Sequence, residues 1–151
     1  MRSGKLIDNQ KIITDIPILL DTHVLIWVLS DFENLSEQIK EIINAAKDEK
    51  RLLISSISLW EIAMLKSKKR INIYKPIKEF LKAIVEIDGI KIIDISPDIA
   101  ADSTLLLDNF HGDPADRIIA ATAINMGATL LTRDRQILAW AELGNVKAIE
   151  V

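Results

Sequence analysis

Four acidic side chains stand in surroundings that do not favour them: Asp21 in LLDTHVLIW, Glu61 in ISLWEIAML, Asp116 in HGDPADRIIAATA and Asp134 in LLTRDRQIL. Carboxylates are almost never fully buried unless something pairs with them. Gathered at one place they would repel, on the order of 4 kcal/mol per pair at roughly 4 Å and an effective dielectric of about 20. A divalent cation turns that penalty into affinity. The chain has no cysteine, which excludes thiol chemistry and Cys-based zinc sites, and its two histidines, His23 and His111, argue against a His-rich metal site. Oxygen donors suit the hard ions Mg²⁺ and Mn²⁺. The chemistry such a centre serves is phosphoryl transfer, with the metal activating water and stabilising the leaving oxygen.

Each acid also has a simpler reading. Asp21 and Asp134 each follow an apolar run and fit a helix N-cap, with Thr132 adding turn hydrogen bonds near the second. Asp113 as N-cap, Pro114 at N1 and Asp116 at N3 make a well-formed helix start without any catalysis. Glu61 is the hardest to explain away, being the one charge in a helix with no polar face; a buried salt bridge or a helix edge reaching solvent are its alternatives. The shared placement of the four therefore carries more than any one of them.

That placement follows from the elements. A short apolar run predicts a strand over residues 16–20, and further strands are predicted over 52–54, 90–95, 128–131 and 146–151. Helices are predicted over 24–29, over 36–50 with Ile39, Ile42, Ile43 and Ala46 on one face, and over 57–65. Further helices run from Pro76 to a stop at Gly89, from Ser96-Pro97 to about Leu107, from Pro114 to Met126 with Gly127 ending it, and from Arg135 to Leu143. Alternating strands and helices imply a parallel sheet covered on both faces, which binds ligands beyond the carboxyl ends of its strands. Three of the four acids follow a strand directly or sit in the helix just after one; Asp116 instead opens the helix leading into the fourth strand.

The length, 151 residues, fits one domain, expected over 16–151 after an extension of residues 1–15. No run approaches the roughly 18 apolar residues of a membrane helix. The polar N-terminus lacks a signal-peptide core, so the protein is expected to be soluble and cytoplasmic. The net charge of −3 argues against a polyanionic partner only if the charges are evenly spread, and they are not.

In order and context, LLDTHVLIW, SSISLWEIAML, HGDPADRIIAATA and LLTRD together resemble the PIN-domain nucleases, most closely the VapC-type toxins of bacterial and archaeal toxin–antitoxin pairs, over about residues 16–151. The resemblance implies a three-layer α/β/α sandwich around a central, mainly parallel sheet of about five strands, with the acids meeting above its carboxyl edge. It implies an endoribonuclease using one or two Mg²⁺ or Mn²⁺ ions on single-stranded or structured RNA, a homodimer, and inhibition by a cognate antitoxin whose peptide occupies the groove. On that pattern Asp21, Glu61 and Asp116 are the primary ligands, directly or through water, and Asp134 completes the site. Asp113 is then a supporting acid or simply the cap. Thr22, Ser56 and Thr132 are candidates to hydrogen-bond the carboxylates, or are ordinary turn residues. Two features depart from the pattern: the residues before the first strand, and Ala115, where relatives often carry a bulkier side chain.

Arg117, Arg133 and Arg135 flank the acids and are candidate phosphate contacts, while Lys66 to Arg70 fits a solvated helix end as well as an RNA contact. Both histidines are left out of the catalytic set, since a cation that activates water makes a protein base unnecessary. Two other functions compete. One is a PIN-like module that binds RNA or a partner without cleaving. The other is a phosphotransfer or receiver-type domain with Asp21 as acceptor, although no adjacent acid pair and no lysine after the fourth strand support it.

Overall fold

In a computed structural model, which describes residues 15–151, the three apolar residues Ile18–Leu20 form the central strand β1, with every side chain buried. The rest of the chain is β2 (Leu52–Ser55), β3 (Ile90–Ile93), β4 (Thr129–Thr132) and β5 (Ala148–Glu150), joined by helices. These helices are α1 (Thr22–Ser30), α2 (Glu37–Asp48), α3 (Ser56–Ser67), α4 (Ile77–Val85), α5 (Pro97–Asp102), α6 (Pro114–Met126) and α7 (Arg135–Trp140). All but the last residue of the expected extension 1–15 lies outside the described residues.

The sheet order is β3-β2-β1-β4-β5 and every pairing is parallel. Because alternate strand residues point to opposite faces, the sheet divides the core in two. Ile18, Leu20, Leu52, Ile54 and Leu131 pack with Val24, Leu25, Ile39, Ile43, Ile62 and Ile84 of α1 to α4. Leu19, Leu53 and Leu130 pack on the other side with Ile99, Ile119, Ala120, Ala123, Ile137 and Trp140 of α5 to α7. This is the three-layer α/β/α sandwich. Right-handed crossovers explain the division: the chain steps outward from β1 to β3 with helices on one face, then must return past β1 to lay down β4, which puts the next helices on the other face. The direction of travel reverses between β1 and β4, and the crevice above that pair is the switch point where such sheets bind ligands.

Several boundaries differ from the sequence expectation. The predicted helix to Leu107 stops at Asp102, where Ser103 Oγ and Thr104 Oγ1 each donate at 2.7 Å to the carbonyls of Ala100 and Ala101. Asp108 and Asn109 then adopt left-handed φ of 57° and 53°. The last helix gives way at Ala141 to a π turn, with Gly144 at φ 91°. Gly89 does not end α4, which is capped by Glu86. Gly89 has φ 87° and lies so close to the Lys47 carbonyl that a Cβ would overlap it, so it is a point of close approach to α2. Among the described residues no helix is long and apolar enough to cross a membrane.

Candidate metal centre

Asp21 is the first residue past β1 and the cap of α1, and it is 5% exposed. Its backbone N–H donates to Leu131 O at 3.0 Å, continuing the pairing with β4. The Asp21 Oδ1 accepts from Thr22 N and its Oδ2 from Thr132 Oγ1, both at 2.7 Å. Thr132 Oγ1 in turn accepts from Asp134 N at 3.0 Å, so one hydroxyl ties together the acids that follow β1 and β4. Burial raises the Asp21 carboxyl above its ordinary value, although both hydrogen bonds oppose the shift.

Glu61 comes from α3, on the same edge. The Thr22 hydroxyl donates to Glu61 Oε1 and lies 2.8 Å from Ser58 Oγ. Since Thr22 has one hydroxyl proton and spends it on the carboxylate, Ser58 donates to Thr22. Burial raises Glu61 too; the Thr22 hydrogen bond opposes this, and the charges of Asp21 and Asp113 reinforce it.

Asp116 sits in the first turn of α6 and is pushed up to about 8, first by burial and then by the charges of Asp21, Asp113, Asp134 and Glu61. The shift agrees with acids gathered at a poorly solvated edge, where water screens their charges less. Asp134 caps α7, accepting from Gln136 N at 2.8 Å and Ile137 N at 3.0 Å. Both bonds fall on Oδ1, which leaves Oδ2 open to a cation. Asp113 caps α6, accepting from Asp116 N at 3.1 Å, and is exposed. Capping and ligation were alternatives in the sequence; at Asp134 the geometry accommodates both.

Not every expected residue joins the site. Ser56 is the first residue of α3 and makes no side-chain hydrogen bond among the described residues. The serine facing the site is Ser58, three residues before Glu61 and so on the same helix face, a spacing that was there to be read. Arg117 turns inward, with Nη1 donating to Ser103 O at 3.3 Å and Nη2 to Phe110 O at 2.9 Å. Arg133 lies 4.3 Å over the Trp27 ring, and its Nε donates to Val151 O. Both therefore fasten the fold; of the three expected arginines, Arg135 is the one with no such tie among the described residues. A groove of about 260 Å³ beside the centre is lined by Trp60, Glu61, Met64, Lys68, Arg70 and Asp113, which brings the downstream basic cluster to the acids. His111, set aside on sequence grounds, has Nε2 3.4 Å from Asp116 Oδ2. His111, Asp116 and Asp134 offer ligand atoms within 4.8 Å of one another.

The donor set fits a hard divalent ion. It is dominated by oxygen, and burial makes three carboxylates resist ionisation in the absence of positive charge, as expected of a site organised around a cation.

A parallel sheet in this order with carboxylates above its switch point defines a class, and the sequence agrees: the PIN-domain family model matches residues 18–143, and the chain belongs to the PIN-domain family. It is similar to the ribonuclease VapC22 of Mycobacterium tuberculosis, 36% identical over 120 residues that cover 80% of this chain and 88% of that protein. Among solved structures it is similar to VapBC2 of Rickettsia felis bound to a promoter DNA fragment, with TM-score 0.66, 18% identity, and coverage of 90% of this chain and 99% of that one. A toxin–antitoxin complex from Klebsiella pneumoniae matches at TM-score 0.52 and 28% identity, over 78% of this chain and 86% of that one.

Proposed function

We propose that the protein is a Mg²⁺- or Mn²⁺-dependent endoribonuclease and the toxin of a toxin–antitoxin pair, acting on RNA in the cytoplasm. The observation that carries this reading is the gathering of the acids at one sheet edge: Thr132 Oγ1 bonds both Asp21 Oδ2 and the Asp134 amide, Thr22 bonds both Asp21 and Glu61, and ligand atoms of Asp116 and Asp134 lie within 4.8 Å of each other. The ribonuclease relative supports RNA as substrate.

Asp21, Glu61 and Asp116 would hold the cation, with Asp134 completing the set. The ion would supply Lewis acidity and an activated water for hydrolysis of the phosphodiester. The chain's own residues orient these ligands. Thr132 fixes Asp21, the Ser58–Thr22 relay fixes Glu61, and the α7 amides fix Asp134. Asp116 would have to be ionised to act as a ligand. Lys68 and Arg70, in the groove beside Glu61, are placed to neutralise the RNA backbone.

A receiver-type role for Asp21 is not favoured, because that carboxylate is 5% exposed and hydrogen-bonded through both oxygens. The antitoxin expected from the resemblance has a fitting surface in an apolar groove of about 610 Å³ lined by Ile26, Trp27, Leu29, Ile71, Tyr74 and Phe80. The Klebsiella pneumoniae relative, solved as a toxin–antitoxin complex, supports such a partner. Light scattering of the isolated chain tests the expected homodimer.

The deciding experiment incubates partner-free protein with total RNA and Mn²⁺ or Mg²⁺. Cleavage is expected, abolished by EDTA and by Asp116→Asn, with the variant still folded by circular dichroism. A folded wild type that cleaves nothing under either ion leaves the binding-only module as the better reading.

A further inference from the structure

His111 lies in the loop leading into α6, two residues before the Asp113 cap. Its ring is held from several directions. It stacks on Phe110, centroids 4.6 Å apart and planes 24° from parallel. Phe110 is buried edge-on to Trp140 at 4.8 Å, and its carbonyl is gripped by Arg117. The backbone N–H of Asp113 points at His111 Nδ1, 3.4 Å away.

That last contact favours one tautomer. A ring nitrogen facing an N–H presents its lone pair, so in the neutral imidazole the proton sits on the other nitrogen. On that tautomer Nε2 carries the hydrogen. It is buried, lacks an aligned acceptor, and lies 3.4 Å from Asp116 Oδ2. Distance alone would make His111 a third ligand beside Asp116 and Asp134, but a protonated nitrogen has no lone pair to offer a cation. The other acids show what is missing. Asp21, Glu61 and Asp134 are each oriented by at least one hydrogen bond, whereas among the described residues none reaches the Asp116 carboxylate. An unmatched donor and an unoriented ligand face each other.

We propose that His111 is the positioning residue for Asp116: its Nε2–H donates to Asp116 Oδ2 and so turns Oδ1 toward the cation. The Phe110 stack and the Asp113 amide keep the ring on that bearing. The inference rests on the metal-centre reading above.

The test compares His111→Gln, His111→Asn and His111→Ala by Mn²⁺ titration followed by thermal shift and calorimetry. A glutamine amide places an N–H near the Nε2 position; an asparagine places its amide near Nδ1; neither restores the aromatic stack. Mn²⁺ affinity is expected within about threefold of wild type for His111→Gln, and weakened about 10–100-fold for His111→Asn and His111→Ala, the range typical of groups that orient metal ligands. Glutamine and asparagine variants that bind alike, at whatever level, overturn the proposal and leave His111 a packing residue. A second measurement needs no variant: long-range ¹⁵N–¹H correlation on the wild type loaded with Mg²⁺ should show Nε2 protonated and Nδ1 not. The reverse would make His111 a ligand and overturn the proposal. If the wild type gains no more from Mn²⁺ than Asp116→Asn does, the metal centre itself fails and the proposal with it. Normal Mn²⁺ binding by wild type and all three His111 variants sinks the proposal alone.

Discussion

One hydroxyl, Thr132 Oγ1, gives its proton to Asp21 Oδ2 and accepts the N–H of Asp134. Thr132 is fully buried, so neither bond can be replaced by water without a rearrangement. Thr132→Val keeps the shape and removes both bonds. It is expected to destabilise the protein by about 1–3 kcal/mol, the usual cost of stranding buried polar partners. It should also weaken Mn²⁺ about 10–100-fold, because Asp21 is then free to turn. Urea unfolding and a Mn²⁺ titration check the two parts, and Thr132→Ser, which keeps the hydroxyl, should retain binding. A valine variant that binds Mn²⁺ like the wild type would show that Thr132 serves packing alone. This contact also marks what could be read at the residue scale. The types of Asp21, Glu61, Asp116 and Asp134 are what lead the sequence toward a hard-metal reading, with Thr22 and Thr132 as candidates beside them. The bond joining Asp21 to Thr132 spans 111 positions, however, and no local pattern encodes it. His111 was hidden for the same reason: a lone histidine has no periodicity, and its partner Asp116 is fixed only when α6 docks.

At the scale of elements, local chemistry set some boundaries well and others poorly. Helix α6 runs from Pro114 to Met126 as expected, because Asp113, Pro114 and left-handed Gly127 are strong end signals. Helix α5 is shorter than expected, since apolar residues 105–107 continued the pattern while the Ser103 and Thr104 hydroxyls had already captured its last carbonyls. Gly89 was legible as a break, but its partner was not. The close approach to Lys47 depends on α2 packing beside the start of β3, which is tertiary information. Gly89→Ala is therefore expected to cost about 1–3 kcal/mol, since the added carbon overlaps backbone at a φ that L residues avoid. Gly89 precedes β3 and so lies at the amino edge of the sheet, opposite the acids. Mn²⁺ affinity measured on the folded variant should accordingly be unchanged. An alanine variant as stable as the wild type in urea would mean that α2 and β3 are not held in this register.

Over the whole molecule, the reversal of strand order between β1 and β4 leaves a crevice into which α1, α3, α6 and α7 each deliver one carboxylate. Folding thus assembles like charges that the unfolded chain keeps apart, and without a cation that assembly opposes stability. The consequence is a pH dependence of definite sign. Asp116 holds its proton up to about 8 in the folded state, against 3.8 as its ordinary value. Asp21 and Glu61 are displaced in the same direction. Between these values the folded state binds more protons than the unfolded state, so stability falls as pH rises. In EDTA the melting temperature should therefore drop by several degrees between about pH 5 and pH 8, in the window set by Asp116. Saturating Mn²⁺ should reverse the trend. It should raise the melting temperature much more at pH 8 than at pH 5, where protons compete for the same oxygens. In Asp116→Asn the EDTA curve should flatten, because the largest contributor can no longer titrate, while the gain from Mn²⁺ should collapse. Scanning calorimetry of wild type and variant across this range, with and without the ion, measures all of these terms. A metal-free wild type that grows more stable from pH 5 to pH 8 would mean that the carboxylates do not crowd one another above the β1–β4 edge.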